Sequence, residues 1–236
     1  MKITWLGHSG FRIEIADQVL LVDPWFTGNP VFPEEREDEA VAGATAILLT
    51  HGHSDHAADA PRLSAKTDTT IHAVHELASY LASVKGAKAE GFNQGGTVKI
   101  GEVAVTMVPA CHSSSIDWDG SPGHPAGREA GFMISGEDHT IYVSGDTGIM
   151  ADMEWMAEYH KPDIGILSAG GHYTMDMAQA AFVCRKYFNF RNVIPCHYRT
   201  FPLLAQNTDE LRRGIDPHIV LHTPDVMESV TISRAG

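Results

Sequence analysis

Four times along this chain a short apolar run ends in a residue type that binds metal ions, and that recurrence limits what the chain can fold into. The densest case is Ala46-Ile47-Leu48-Leu49 followed by Thr50-His51-Gly52-His53-Ser54-Asp55-His56. A buried strand is a rigid mount, and ligands at its carboxyl end can be held to the bond lengths of about 2.0–2.1 Å that imidazole–metal bonds require. In an extended segment His51 and His53, two residues apart, project to the same side and can grip one ion. Asp55 and His56 follow a turn through Gly52 and Ser54, which places them for a second ion beside the first.

Two ions that keep positions open for water and substrate still need about three protein ligands each. Matching places supply them. His112 follows the strand-like Val103-Ala104-Val105-Thr106-Met107-Val108, Asp146 follows Thr140-Ile141-Tyr142-Val143-Ser144, and His197 follows Asn192-Val193-Ile194-Pro195. A carboxylate has two oxygens, so Asp146 is the natural bridging group. A lone histidine is more often a satisfied polar residue than a ligand, but these positions all close apolar strands, and the metal reading outweighs the structural one. His72, His75, His124, His139, His160, His218 and His222 have no such context and are assigned no chemistry.

In this order the residues resemble the metallo-β-lactamase superfamily: HxHxDH at 51 to 56, then His112, Asp146 within Ser-Gly-Asp-Thr-Gly, and His197. The resemblance implies that His51, His53 and His112 hold one ion and Asp55, His56 and His197 the other, with Asp146 between them. Asp23, in Leu20-Leu21-Val22-Asp23-Pro24, would support ligands rather than bind an ion. Further segments are similar to the ascorbate-6-phosphate lactonase-like branch, and in particular to its metal-dependent hydrolases of unassigned substrate. They are Trp5-Leu6-Gly7-His8-Ser9-Gly10-Phe11, Val22-Asp23-Pro24-Trp25, Gly170-Gly171-His172-Tyr173-Thr174-Met175 and Pro195-Cys196-His197-Tyr198-Arg199-Thr200-Phe201-Pro202. The implied fold is an α/β sandwich, αββα, of two mixed sheets flanked by helices. The implied cofactors are two divalent ions, zinc first and manganese second, because histidine–carboxylate sites accept either.

The chemistry expected of such a centre is hydrolysis by a hydroxide held between the ions, with Asp55 orienting it or accepting its proton. No leaving-group acid stands out. His8 and His172 are the candidates, each with a turn residue as its plainer alternative. An ester-type bond (lactone, ester or phosphodiester) needs less help there than an unactivated amide, so it ranks above a β-lactam. The rivals are a metal-binding sensor or scaffold without turnover, which predicts lost ligands, and a di-iron redox protein on the same fold, which calls for a glutamate where His53 stands.

Charge narrows the partners. Lys and Arg number 17 against 30 for Asp and Glu, a net −13, so nucleic-acid backbones are repelled, whereas bound cations would still admit a small, even anionic, substrate. No apolar run approaches the roughly 20 residues of a membrane helix and Met1 to Trp5 lacks a secretory apolar core, so no membrane association and a cytoplasmic location are expected. A homo-oligomer is compatible with the family resemblance. Three cysteines without CxxC suit a reducing compartment; Cys111 and Cys196, each preceding a ligand, are expected to point away from the site into the core.

One domain over 1–236 is expected, with pseudo-halves of about 1–110 and 111–236. Strands are expected at 2–6, 11–15, 19–22, 46–49, 70–73, 98–100, 103–108, 131–135, 140–144, 163–167 and 192–195, and helices at 55–66, 75–84, 150–159 and 175–188. Two irregular stretches would rim the site: 24–43, a solvated loop whose Trp25-Phe26 end faces substrate, and 113–128, a lid carrying Trp118 and Arg128.

Overall fold

The computed structural model describes residues 1–120 and 123–233. Its first sheet begins as an antiparallel meander of β1 (Lys2–Trp5), β2 (Phe11–Ile15) and β3 (Gln18–Val22), and goes over to parallel pairing with β4 (Ala46–Leu48), β5 (Thr70–Val74) and β6 (Ala89–Phe92). The second sheet repeats that plan. The hairpin of β7 (Thr97–Ile100) and β8 (Val103–Pro109) leads into the sheet; a small two-stranded ribbon, β9 (Ser115–Ile116) and β10 (His124–Pro125), stands apart from it. Then β11 (Ala130–Gly136) and β12 (His139–Val143) pair antiparallel, and β13 (Ile164–Ser168), β14 (Asn192–Cys196) and β15 (Val220–Leu221) continue in parallel. A last strand, β16 (Ser229–Thr231), returns to the first sheet beside β1.

Two seven-stranded mixed sheets thus share one core, and helices cover them: α1 (Glu37–Val41), α2 (Ser54–Ala57), α3 (Ala60–Thr67), α4 (His75–Lys85), α5 (Met153–His160), α6 (Met177–Lys186) and α7 (Asp209–Gly214). This is the expected αββα sandwich. Strand alternation explains its interior: β2 buries Phe11, Ile13 and Ile15 while Arg12 and Glu14 are half-exposed, and β8 buries Val103, Val105 and Met107. Each such side chain contributes about 1.5–3 kcal/mol when fully buried. The parallel strands β4 and β13 are buried along their whole length, as strands covered on both faces must be.

Several boundaries differ from expectation for identifiable reasons. The chain changes sheets at 93–96 rather than near 110, because the β7–β8 hairpin joins the second sheet. The helix expected over 55–66 is broken into α2 and α3: Pro61, in the first turn of α3, has no N–H to continue the preceding turn. Helix α6 starts later than expected because Asp176 caps it; its carboxylate accepts from the Gln179 N–H at 2.7 Å, and the Gln179 side chain accepts from the Asp176 N–H at 3.0 Å. The acidic run 34–39 is a 3-10 turn leading into α1 rather than a solvated loop. Its Glu37 accepts from Arg62 and Lys66, each at 2.8 Å, and these cations hold its carboxyl down at about 2. Among the described residues, no helix is long and apolar enough to cross a membrane.

Candidate metal centre

The loops at the carboxyl ends of β4, β12 and β14, together with the segment after β8, bring the seven expected ligands to one place. Crevices beyond the carboxyl ends of parallel strands are where open α/β sheets form sites. Donor atoms of His51, His53 and His112 lie within 4.8 Å of one another, and so do those of Asp55, His56, His197 and His8. Asp146 stands between the two groups, its Oδ2 at 3.0 Å from His197 Nε2, 3.5 Å from His56 Nε2 and 3.8 Å from His112 Nε2.

Hydrogen bonds behind the cluster set which ring nitrogens face it. Asp23 is buried; its Oδ1 accepts from the Thr50 N–H at 2.8 Å, and its Oδ2 accepts from the Thr50 hydroxyl at 2.6 Å and from His56 Nδ1 at 2.8 Å. With its hydroxyl proton given to Asp23, Thr50 Oγ1 must accept from His51 Nδ1, 3.0 Å away. The Nε2 lone pairs of both His51 and His56 are therefore turned inward. His56 Nε2 is buried without a hydrogen-bond partner, an arrangement that costs free energy unless something in the cluster pairs with that nitrogen. Histidines pinned through one nitrogen with the other converging on carboxylates form a donor set that fits divalent ions. Asp23 supports His56 directly and His51 through Thr50, with both of its oxygens engaged in hydrogen bonds.

Electrostatics agree. Burial raises the Asp146 carboxyl, but His197 and His56 outweigh it and hold Asp146 well below the usual carboxylate range; Asp55 is likewise held low, against burial, by His56 and His8. Burial lowers His56, yet Asp146, Asp55 and Asp23 together push it well above its ordinary value. Burial pushes His51 well down. The cluster therefore concentrates negative charge against imidazole nitrogens.

His8 is wholly buried, and both its nitrogens are engaged, Nδ1 with Thr200 Oγ1 and Nε2 with Asp55 Oδ2, each at 2.9 Å. A carboxylate only accepts, so the proton sits on Nε2 and Thr200 donates to Nδ1. His8 thus orients Asp55 and has no proton to give to a leaving group in the pocket. His172 is exposed, packs edge-on against Tyr173 at 4.5 Å, and does not line the cavity. Tyr173 takes that place.

The cavity over the cluster has a volume of about 570 Å³ and is walled by Trp25, Phe201, Leu203 and Tyr173, with Ser54, Ser113 and Asp117 among its polar lining. Trp25 faces it as expected; Phe26 does not, being buried against Phe32 at 4.2 Å. In the 113–128 segment, of which 121–122 lie outside the described residues, Trp118 and Asp119 are tied to the body of the fold rather than standing free over the site. Trp118 Nε1 donates to the Gly52 carbonyl at 3.0 Å, Lys85 lies over the Trp118 ring, and Tyr80 donates to Asp119. Arg128 is not among the lining residues. Cys196 is buried as expected, but Cys111 is exposed: β8 ends at Pro109, so strand alternation no longer governs position 111.

Sequence reasoning missed the hydroxyls that hold the ligands. Thr50 locks His51, Thr200 locks His8, and the single Ser168 hydroxyl proton is shared between the Gly145 carbonyl at 2.7 Å and Asp146 Oδ1 at 3.2 Å. Thr50 and Thr200 stand one and three residues from His51 and His197, and Ser168 closes an apolar run as the candidate ligands do. Backbone shape adds a further constraint: His8, Asp23 and His197 all take positive φ (51°, 43° and 57°), a conformation that non-glycine residues keep only where the surroundings enforce it.

Comparison with known proteins completes the description. The profile of the family described as a beta-lactamase superfamily domain matches residues 18–198. A UPF0173 metal-dependent hydrolase of Cereibacter sphaeroides is 60% identical over 98% of this chain and 100% of its own length, and one of Dinoroseobacter shibae is 58% identical over the same shares. Among solved structures, Igni18, a metallo hydrolase from Ignicoccus hospitalis, is 30% identical with a TM-score of 0.86, covering 98% of each chain. The chain belongs to the metallo-β-lactamase superfamily, within its UPF0173 metal-dependent hydrolases.

Proposed function

We propose that the chain hydrolyses an ester-type bond (a lactone, ester or phosphodiester) in a small substrate at a centre of two divalent ions, zinc or manganese. His51, His53 and His112 would hold one ion, Asp55, His56 and His197 the other, and Asp146 would bridge. The observation that carries this reading is the inward, unpartnered Nε2 of His56, fixed there by Asp23 and facing Asp146. The chemistry that divalent ions would supply in that cage is acidification of a water toward neutrality and polarisation of the scissile carbonyl or phosphoryl oxygen.

The chain's own residues account for the rest. Asp55 lines the cavity and is steered by His8 and Thr200, so its carboxylate is placed to accept the proton of the attacking water. Trp25 and Phe201 hold the non-reacting part of a substrate over the cluster. Among the described lining residues beyond the ligands, the Tyr173 phenol is the candidate proton donor to a leaving group, and an alkoxide or phenoxide, which needs less protonation than an amide nitrogen, is favoured there.

The test is a screen of metal-reconstituted protein against lactones, phosphodiesters, thioesters and β-lactams, beside chelator-stripped protein and the His53→Ala variant. Ester-type turnover that disappears in both controls is expected. Turnover that persists in His53→Ala at wild-type rate would contradict the ligand assignment. Uniform inactivity of fully loaded protein, with a ligand-specific conformational response, would favour a sensor.

A further inference from the structure

We infer that the pocket selects an uncharged substrate carrying a flat apolar group next to its ester-type bond and discriminates against phosphate- or carboxylate-bearing substrates. This narrows the hydrolase reading above and rests on it. Among the described residues no lysine or arginine lines the cavity, whereas Trp25, Tyr173, Phe201 and Leu203 do. Recognition of anionic substrates ordinarily uses such cations, above all arginine in bidentate contact. Among the described residues, the charged side chain that lines the cavity beyond the ligands is a carboxylate, Asp117. Together with Asp23, Asp55 and Asp146 it offsets the positive charge that two divalent ions bring, so a loaded centre keeps little net attraction for an anionic tail. The whole chain, at −13, also repels anions at long range.

The apolar wall has a geometry suited to a ring. Trp25 is fixed by its Nε1 donating to the Thr27 carbonyl at 2.8 Å, and its ring lies 6.2 Å from that of Phe201 and 5.4 Å from that of His8. Across the mouth, Tyr173 and Leu203 are 57% and 50% exposed. Large apolar side chains left open beside a reactive centre gain free energy when a ligand covers them. A flat group laid on the Trp25–Phe201 wall would cover this surface while its ester bond stays over the cluster.

Two measurements test the inference separately from turnover. The first is binding of benzyl alcohol, a neutral product analogue, to the metal-loaded protein, followed by NMR shifts or tryptophan fluorescence in wild type, Phe201→Ala and Leu203→Ala. Binding should weaken by about tenfold in Phe201→Ala and by several-fold in Leu203→Ala. Binding unaffected by both variants, or absent because a second copy of the chain covers the wall, overturns the inference. The second is the kcat/KM ratio for phenyl pentanoate against the monophenyl ester of adipate, which differ by one carboxylate. A preference of about tenfold or more for the neutral ester is expected, expressed mainly in KM. Equal or faster turnover of the anionic ester overturns the inference and leaves the hydrolase reading standing. Turnover of neither ester by a preparation that hydrolyses a lactone or a phosphodiester likewise overturns the inference and leaves the hydrolase reading standing.

Discussion

Asp23 controls two of the candidate ligands through one carboxylate. It holds His56 directly and His51 through Thr50, so removing it frees both rings to turn and leaves their tautomers unset. Asp23→Ala should weaken metal binding by about 10–100-fold while the fold persists, measured by competition with a chelator; unchanged affinity would show that these rings are oriented some other way. Protonation follows from the same contacts. Burial lowers His8 from 6.5 to about 4, so its share of stability is lost as pH falls below 6.5 toward 4. His56, raised by the three carboxylates against burial, behaves oppositely: its share is full below 6.5 and is lost as pH rises through its elevated folded value. Metal-free protein should therefore be most stable near the ordinary histidine value and less so on either side, seen as a maximum in Tm against pH; a flat profile from acid to alkaline pH would contradict it. The convergence of the candidate ligands follows from the sequence because few residue types bind metals and their spacing is restrictive. Thr50, Ser168 and Thr200 were not legible there, since hydroxyls are common and their role depends on which proton goes where.

At the scale of elements, the site is made by loops that leave strands under tight backbone restraint. A Cβ on Gly170 would collide with the carbonyl oxygen of His197, and one on Gly145, at φ 59°, with that of Ala130. These two glycines let the loops before Asp146 and beside His197 approach closely. Gly170→Ala should cost about 1–3 kcal/mol in denaturant unfolding and loosen metal retention with it, because the backbone that must move carries His197. Stability and retention both at wild-type values would contradict this reading of the close approach. The main strands could be read from alternation or from continuous apolar runs bounded by turn residues. Strand β6 was missed because its pattern is largely exposed and contains Gly91, and β16 because three alternating residues at a sheet edge carry little signal. The break between α2 and α3 was legible in Pro61 but was overridden by the apolar periodicity around it. The ribbon of β9 and β10, and the anchoring of its neighbour Trp118 to Gly52, depend on contacts distant in sequence, which periodicity does not encode.

For the whole molecule, two sheets of the same plan meet so that each contributes part of one centre. The first sheet supplies Asp23 and the 51–56 cluster; the second supplies His112, Asp146 and His197. The fold was readable to the extent that it follows from the order of strands and helices and from the family resemblance. The point where the chain changes sheets, and the return of β16 to the first sheet, are set by pairing and were not. Because ligands from both sheets converge, ions that join them should bind the folded state far better than the unfolded one and raise Tm accordingly. Elemental analysis of gently purified, metal-replete protein measures the paired centre directly. Two divalent ions per chain are predicted; a chain that retains one or none would contradict the account.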